Sequence, residues 1–395
     1  MEDTKKNIFR IRILILLILL VAVGQMTQAI YIAGIPIMAS ELKVPEGTLQ
    51  RLLAAYLLCY GISQLIYGPL SDHFGRRPMI FLGMGIFYLG TLMAMNSYSL
   101  LFVTFSCGIQ GMGTGVSGVM ARVLLRDTCK GNELRRTNSL LNMGVIFIPL
   151  VAPLIGGILS NYLGWRSCFV FLLILSSIIS IIIWWFLPET RPLLLVKSYP
   201  KIFIFKYLLC EKTFNHYLLI LVGGVSGIVA FKSSSGVLLG NMGFSVYERS
   251  ILFILPLPST FLGAWYVSRI TISFKHSMWL AVLSCIGAGL LMWIPAWFNI
   301  MTLWTLILPA SLFFFGAGML FPLATTGAME PYPYFAGTAG ALVGSIQNIV
   351  SGVIAGFSSL LPQNNQHSLG MITFSMGLMI LLCWISLARS VNHNN

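Results

Sequence analysis

The stretch Gly68-Pro-Leu-Ser-Asp-His-Phe-Gly-Arg-Arg-Pro78 decides how the rest of this chain is organised. It places one acid, Asp72, and two arginines, Arg76 and Arg77, in a short segment between two long apolar runs. Gly75 permits a tight backbone turn, and the Asp72 carboxylate can accept hydrogen bonds from helix-end N–H groups or from Arg76. We therefore predict a charged loop between two membrane helices, with an ion pair that forms in one conformation and breaks in another. The simpler alternative is a basic loop that only fixes topology.

The composition is that of an integral membrane protein. The chain has 395 residues, of which 57% are hydrophobic and only 9% are charged, whereas a soluble domain carries about 25% charged residues. Apolar runs of roughly 20 residues recur along the whole length, which suits helices that cross a bilayer. The seven cysteines are scattered singly without a C-x-x-C pair. We therefore expect no disulfide framework, no metal site and no cofactor.

Twelve transmembrane helices are predicted from these runs, in an all-α protein of two pseudo-symmetric six-helix bundles. The predicted bundles are residues 1–187 and 216–395, joined by a basic linker at 188–215. The predicted spans are residues 11–39, 49–70, 79–95, 100–123, 138–160, 167–187, 216–239, 249–268, 277–295, 302–325, 338–360 and 369–389.

The formal net charge of +13 raises the question of nucleic-acid binding. Most lysines and arginines, however, fall in alternate loops, on the side that also holds the N-terminus. This is the positive-inside pattern of membrane proteins, so we expect both termini to be cytoplasmic and no nucleic-acid partner.

The predicted linker combines basic and aromatic side chains. This composition suits an amphipathic segment on the inner leaflet, and a simple tether is an equal alternative. The residues concerned are Lys197, Lys201, Phe203, Phe205, Lys206, Tyr207 and Lys212.

A second motif, Ala152-Pro-Leu-Ile-Gly-Gly157, lies in the fifth span. Its proline bends a membrane helix, and its paired glycines let a neighbouring backbone approach closely. With the Gly68–Pro78 loop, it resembles the major facilitator superfamily, whose signatures are Gly-x-Leu-Ala-Asp-Arg-x-Gly-Arg-Arg and, in antiporters, Gly-Pro-x-x-Gly-Gly. This chain departs from them at His73, which replaces an Arg, and at Ala152, which replaces a Gly. The motif residues are Pro153, Gly156 and Gly157.

Further marks resemble the Bcr/CflA group of drug/proton antiporters within this superfamily. They are Arg126-Asp127, Gly164-Trp-Arg166, Leu187-Pro-Glu-Thr190, Ala328-Met-Glu-Pro331 and Ala336-Gly-Thr-Ala339. Three more stretches resemble one particular member of this group. They are Gln25-Met26, Gln110–Gly115 and Phe313–Gly318.

This resemblance implies a function. The chain is expected to be a proton-coupled secondary antiporter of the bacterial inner membrane, giving multidrug efflux and antibiotic resistance at the expense of the proton motive force. It would export hydrophobic or amphipathic small molecules by alternating access, as a monomer in the lipid bilayer. The loop residues Asp72, Gly75, Arg76 and Arg77 would form the conformational latch.

The predicted substrate site consists of polar and aromatic side chains at helical spacing inside apolar spans. An aromatic wall of this kind favours aromatic or cationic amphipaths through stacking and cation–π attraction. Two of the residues, Phe253 and Trp304, follow from the resemblance, which equates their helices with cavity-facing ones. For any single aromatic residue, packing is the alternative role. The full set is Gln25, Gln28, Ile32, Tyr56, Tyr60, Gln64, Phe253 and Trp304.

The proton site is the least defined feature of the sequence. The first span has no acid, and Cys107 stands where related drug exporters often carry an Arg. The candidates are Asp127, Glu330 and Lys232, of which Lys232 is the deepest charge in the chain. Lys232 either carries a proton or extends its amine to the outer face, and in the membrane interior it would repel a cationic substrate.

Three alternatives to a multidrug antiporter remain. One is an exporter of a single metabolite or detergent-like compound. More distant are a membrane receptor and a membrane enzyme. The sequence contains no H-E-x-x-H, P-loop or G-x-G-x-x-G motif, so we do not expect an enzyme.

Overall fold

The computed structural model describes residues 2–129, 131–191, 201–269, 273–332 and 336–393. Within these ranges the chain forms fifteen α-helices and two short 3-10 helices, Ile32–Gly34 and Glu46–Leu49. The α-helices are α1 Glu2–Ala29, α2 Ile35–Leu42, α3 Gln50–Phe74, α4 Arg76–Met95, α5 Leu100–Thr128, α6 Gly131–Leu163, α7 Arg166–Phe186, α8 Lys201–Cys210, α9 Lys212–Asn241, α10 Val246–Ile254, α11 Leu257–Arg269, α12 Phe274–Trp297, α13 Leu303–Met329, α14 Ala336–Ser358 and α15 His367–His393.

The helices confirm the predicted all-α membrane architecture. Among the described residues, eleven helical segments are long and apolar enough to cross a membrane, and the shorter apolar helix Ile148–Leu163 within α6 adds a twelfth. All twelve lie where the apolar runs predict them. We call the end of the bundle at Gly75, between α3 and α4, the inner end, and the end at Glu46, between α2 and α3, the outer end.

Two crossings that the sequence predicts as single helices are broken. The first bends between α1 and α2, and the eighth between α10 and α11. Pro36 lies in the first turn of α2, and Pro256 lies in the gap before α11. A proline lacks the N–H that would continue the helix, and its ring collides with the carbonyl four residues earlier. The residues of the first break are buried, and both broken crossings line the cavity between the two halves.

The predicted linker is only partly described. Residues 192–200, including Lys197, and the side chains of 201–204 lie outside the described residues. The remainder contains α8, whose Leu208 is buried in the core of the second half and whose Tyr207 ring lies 6.2 Å from that of Tyr332. The seventh crossing, α9, already begins at Lys212, inside the predicted linker.

The two halves meet mainly through α3 with α14 and through α6 with α10. In crossing order these are the second with the eleventh, and the fifth with the eighth. A pseudo-two-fold axis that exchanges the halves moves each crossing by six places, so it converts the first pair into the second. The interface is therefore symmetric, as expected for a transporter built from repeated halves.

Candidate transport pathway and its two ends

The longer seam between the halves is a close contact of α3 with α14. A Cβ added at Gly61 would lie 2.7 Å from Ile349 Cγ1 and 2.8 Å from the carbonyl oxygen of Ser345. The Ser345 hydroxyl donates to the Gly61 carbonyl over 2.6 Å, between buried groups. Since small residues and buried hydroxyls hold membrane helices together, this contact fixes the distance between the halves.

The second seam contains a small cavity, with about 10 Å³ of space open to the centre of a water molecule. Its lining comes from both broken crossings, α6 and α9. Ile32 and Phe253, two of the predicted substrate residues, meet here. The Phe253 ring lies 6.2 Å from that of Phe231, almost parallel to it. The full lining is Ile32, Ala33, Pro36, Pro153, Gly236, Arg249, Ser250 and Phe253.

The motif of α6 lies against both halves at this cavity. Pro153 lines it, and a side chain at Gly156 would overlap the Ile30 carbonyl after α1. A side chain at Gly157 would overlap the Ser250 hydroxyl of α10. The paired glycines thus allow α6 to contact the first half on one side and the second half on the other.

Three of the predicted substrate residues are packed inside the first half. The Tyr56 hydroxyl donates to the Gly24 carbonyl over 2.9 Å and lies 2.6 Å from the Thr114 hydroxyl, which ties α1, α3 and α5 together. Tyr60 stacks on Tyr56 with ring centroids 5.7 Å apart. Gln64 lies beside Gly118 of α5 and is only 2% exposed. In this structure all three side chains are closed off from open space.

Of the other three predicted substrate residues, Gln25 and Gln28 lie one turn apart on α1, and Trp304 lies on α13. Gln25 is half-buried and Gln28 is buried on α1. Trp304 is the second residue of α13, at the outer end, and 66% of its side chain is exposed. The structure therefore does not bring Trp304 to the cavity. Its position at a helix end suits an interfacial aromatic residue.

The predicted loop is wrong in extent, because α3 continues to Phe74 and α4 begins at Arg76, so the turn between them is made at Gly75. At this inner end, Arg76 is the centre of a charged cluster. Its guanidinium donates to Asp72 over 2.6 Å, to the Ser71 hydroxyl over 2.8 Å and to Asp127 of α5 over 3.1 Å. Only 7% of the Arg76 side chain is exposed. We call Ser71, Asp72, Arg76, Asp127 and Glu189 the inner cluster. A buried guanidinium with two carboxylate partners is held in one position, so the ends of α3, α4 and α5 are fixed relative to one another.

Glu189 caps the N-terminus of α4 from beyond α7. Its carboxylate accepts from the backbone N–H groups of Arg76 at 2.9 Å, Arg77 at 3.0 Å, Arg191 at 3.0 Å and Thr190 at 3.1 Å. Burial alone would raise the pKa of the Glu189 carboxyl, but these four N–H groups lower that pKa below its ordinary value. Glu189 is therefore ionised at neutral pH, where its charge complements the helix dipole.

Gly75 makes this cap possible. Its φ of 99° lies in a region that favours glycine, and a Cβ would come within 2.9 Å of the Glu189 carboxylate. Arg77, the last residue of the predicted latch, instead points outward. It donates to the Trp184 carbonyl over 2.6 Å and stacks on the Trp184 ring.

At the outer end, the halves are joined by polar contacts. Arg249 of α10 pairs with Glu46 at 3.1 Å and also donates to the Phe244 carbonyl. Gln50 at the start of α3 donates to the Gln363 side chain over 2.7 Å. We call the Glu46–Arg249 and Gln50–Gln363 pairs the outer contact.

The three candidate proton carriers are far apart. Asp127 belongs to the inner cluster, where Thr190 also donates to it. Glu330 is exposed immediately after α13. Lys232 is half-buried within α9 and, among the described residues, forms no hydrogen bond or ion pair. They do not form one relay.

Sequence reasoning missed Arg122 and the outer contact. The predicted fourth span, residues 100–123, contains Arg122 only at its basic end, whereas α5 continues to Thr128, so Arg122 lies more than one turn inside the helix. It donates to the Gly340 carbonyl of α14 over 2.6 Å, across the halves. A charge inside a span is a functional signal, and the predicted span already contained Arg122, so this signal was present in the sequence.

Twelve crossings in two halves, with a two-fold-related interface around a cavity, define a membrane transporter of the two-half type. The family model described as Major Facilitator Superfamily matches residues 17–356, and the chain belongs to this superfamily of transporters rather than to a class of enzymes. The predicted family is thereby confirmed.

Individual relatives cover almost the entire chain. It is 54% identical over 389 residues to Multidrug resistance protein D of Escherichia coli (strain K12), with 97% of both chains covered. It is 28% identical to the Chloramphenicol resistance protein of Pseudomonas aeruginosa, over 89% of this chain and 84% of that one. The crystal structure of a D-xylose-proton symporter matches with a TM-score of 0.76 at 15% identity, covering 94% and 96% of the two chains, which shows the fold alone.

Proposed function

We propose that this chain is a proton-coupled antiporter that exports hydrophobic or amphipathic compounds. The observation that carries the proposal is its 54% identity, over 97% of its length, to a multidrug resistance protein. The lower similarity to a chloramphenicol resistance protein supports drugs as the substrate class. Because one fold serves many substrates, the fold by itself would not carry this conclusion.

The mechanism we propose is alternating access. Residues 1–187 and 216–395 would move as two bodies about the α3–α14 and α6–α10 seams, joined by the linker at 188–215. In that movement the outer contact opens and closes across the halves, while Asp72 and Arg76 of the inner cluster latch one state. The substrate would bind between the halves, beginning at the cavity beside Ile32 and Phe253.

The remaining parts of the proposal follow from the charge pattern and the relatives. The protein works as a monomer in the inner membrane, and both termini are cytoplasmic because most basic residues share the inner side. Protons move inward as the compound moves outward. Lys232, Asp127 and Glu330 are the groups to be tested as carriers.

The test uses purified protein in liposomes with an imposed pH gradient and the membrane potential clamped. Gradient-driven movement of phenylnaphthylamine, a neutral fluorescent amphipath, is expected, and it should stop when the pH difference is collapsed. Inhibition by chemically unrelated compounds would indicate multidrug export, whereas inhibition by close analogues only would indicate a narrow exporter. The absence of any gradient-driven movement of amphipaths would contradict the proposal.

A further inference from the structure

Lys232 lies deep in the molecule, more than two helical turns from either end of α9. A Cβ at Gly223 would lie 2.8 Å from Ile380 of α15, in the second half. Lys232 follows Gly223 by nine positions, which is about two and a half helical turns. The extra half turn places Lys232 on the opposite face of α9, away from α15. Gly236, one turn beyond Lys232, lines the cavity between the halves and faces the Ile32 carbonyl of the first half. The Lys232 side chain therefore points toward the space between the halves.

This cation has no counter-charge of its own. Lys232 is half-buried, although its neighbours Phe231 and Ser233 are buried, and among the described residues it forms no hydrogen bond or ion pair. The eleven acidic residues of the chain all lie in its first few positions or close to the ends of helices. An unpaired charge inside a membrane protein is costly, and it is relieved by a partner of opposite sign or by water in a cavity.

A second cation, Arg122, faces the same space from the first half. The Arg122 side chain is exposed and donates to the Gly340 carbonyl across the interface. Among the described residues it has no carboxylate partner, and a guanidinium has five donors to offer. One turn away along α5, a Cβ at Gly118 would lie 2.6 Å from the amide nitrogen of Gln64, whose carbonyl oxygen is buried without a partner. Among the described residues, Lys232 and Arg122 are thus two interface cations without a carboxylate partner, whereas Arg249 at the cavity is paired with Glu46.

We propose that Lys232 is a substrate-charge filter, so that the transporter accepts neutral amphipaths and amphipaths with one negative group, and rejects lipophilic cations. The inference rests on the proposed function and deepens it. A carboxylate, sulfonate or ionised phenol would pair with the Lys232 amine, while the apolar body packs near Phe231 and Phe253. Arg122 extends the positive surface toward the inner end. This reverses the expectation of cationic substrates drawn from the aromatic residues.

The test uses three probes with purified protein. Anilinonaphthalene sulfonate and phenylnaphthylamine share one aromatic skeleton and differ by a sulfonate, and tetraphenylphosphonium is the cation. Binding is measured by fluorescence for the first two and by equilibrium dialysis for the third. Movement is measured in liposomes with a pH gradient and clamped potential. The variants are Lys232→Met, Lys232→Glu and Lys232→Arg, with Lys275→Met as the matched loss of an exposed positive charge.

Lys232→Met should weaken sulfonate binding about ten-fold and change binding of the neutral probe by less than about two-fold. Lys232→Arg should restore sulfonate binding, Lys232→Glu should admit the cation, and Lys275→Met should match the wild type. Equal binding of cation and sulfonate by the wild type, or equal effects of Lys232→Met on the sulfonate and neutral probes, would overturn the inference. Gradient-driven movement of the neutral probe is a separate readout, so its loss in the wild type would count against the proposed function instead.

Discussion

At the scale of single residues, the inner cluster shows how the charged side chains on either side of Gly75 are held in place. Arg76 is nearly inaccessible, and its two carboxylate partners come from α3 and from α5. The Asp72 carboxylate, by contrast, is 32% exposed. A partly exposed acid paired with a buried base is suited to an interaction that breaks and reforms.

We predict that Asp72→Asn slows transport by about five-fold, since loss of a partly exposed ion pair corresponds to about 1 kcal/mol. The measurement is the initial rate of amphipath movement in liposomes at equal protein content. His73→Gln, at the exposed residue next to Asp72 in the last turn of α3, is the control and should leave the rate unchanged. Transport at the wild-type rate by Asp72→Asn would mean that the pair is not a latch.

The charge on Glu189 leads to a prediction about pH. Because its pKa is lowered in the folded protein, the stability it contributes is complete above its ordinary pKa of about 4.3 and is lost as the pH falls through the lower folded value. The difference in melting temperature between the wild type and Glu189→Gln should therefore be constant from about pH 6 to 8 and shrink only in acid. If the difference in melting temperature changed between about pH 6 and 8, Glu189 would be taking up protons in the pH range where proton-driven transport operates.

At the scale of helices, glycine positions decide which pairs of helices touch. The seam of α3 with α14 has no room for a side chain at Gly61, whereas nothing lies within 4 Å of a Cβ at Gly85 of α4. Two glycines in neighbouring helices thus have different roles. The sequence alone does not distinguish them, because both are glycines in apolar spans.

We predict that Gly61→Ala separates α3 from α14 and lowers stability by about 1–3 kcal/mol, the usual effect of overpacking. Gly85→Ala should be neutral or slightly stabilising, because alanine favours a helix and meets no neighbour there. Thermal unfolding in detergent compares the two variants with the wild type. Equal melting temperatures for both variants would show that the α3–α14 contact has room for a methyl group at Gly61.

At the scale of the whole molecule, the outer contact joins halves that are far apart in sequence. Glu46 and Arg249 come from different halves, as do Gln50 and Gln363. Gln50 is 2% exposed, so a thiol placed there would be protected while the outer end is closed. Alternating access requires this protection to be lost in part of the transport cycle.

We predict that Glu46→Gln makes the outer end open more often. A Cys at position 50 should then react faster with a membrane-impermeant maleimide, by about five-fold for a loss of about 1 kcal/mol. The background carries Ser at Cys59 and Cys210, the two cysteines that are not buried. The control is Lys43→Cys, on the exposed outer surface. This cysteine should react with the maleimide at the same rate whether or not Glu46→Gln is present. An unchanged rate at position 50 would show that the Glu46–Arg249 pair does not hold the outer end closed.

The membrane location, the twelve crossings and the family could all be predicted from the amino-acid sequence, because all three depend on local properties of the chain. Apolar length identifies a span, and the Gly68–Pro78 and Pro153–Gly157 motifs identify the superfamily. The helix ends followed less closely from the sequence, because α5 extends past its predicted end to Thr128 and prolines break two crossings.

Only the tertiary structure decided which face of each helix meets another. It closed Tyr56, Tyr60 and Gln64 into the first half, left Trp304 exposed and left Lys232 half-buried within α9. The reason is physical. In water, an apolar face identifies the core, but in a bilayer the lipid is as apolar as the core. Helical periodicity therefore does not tell which face is buried, and contacts between distant residues settle it.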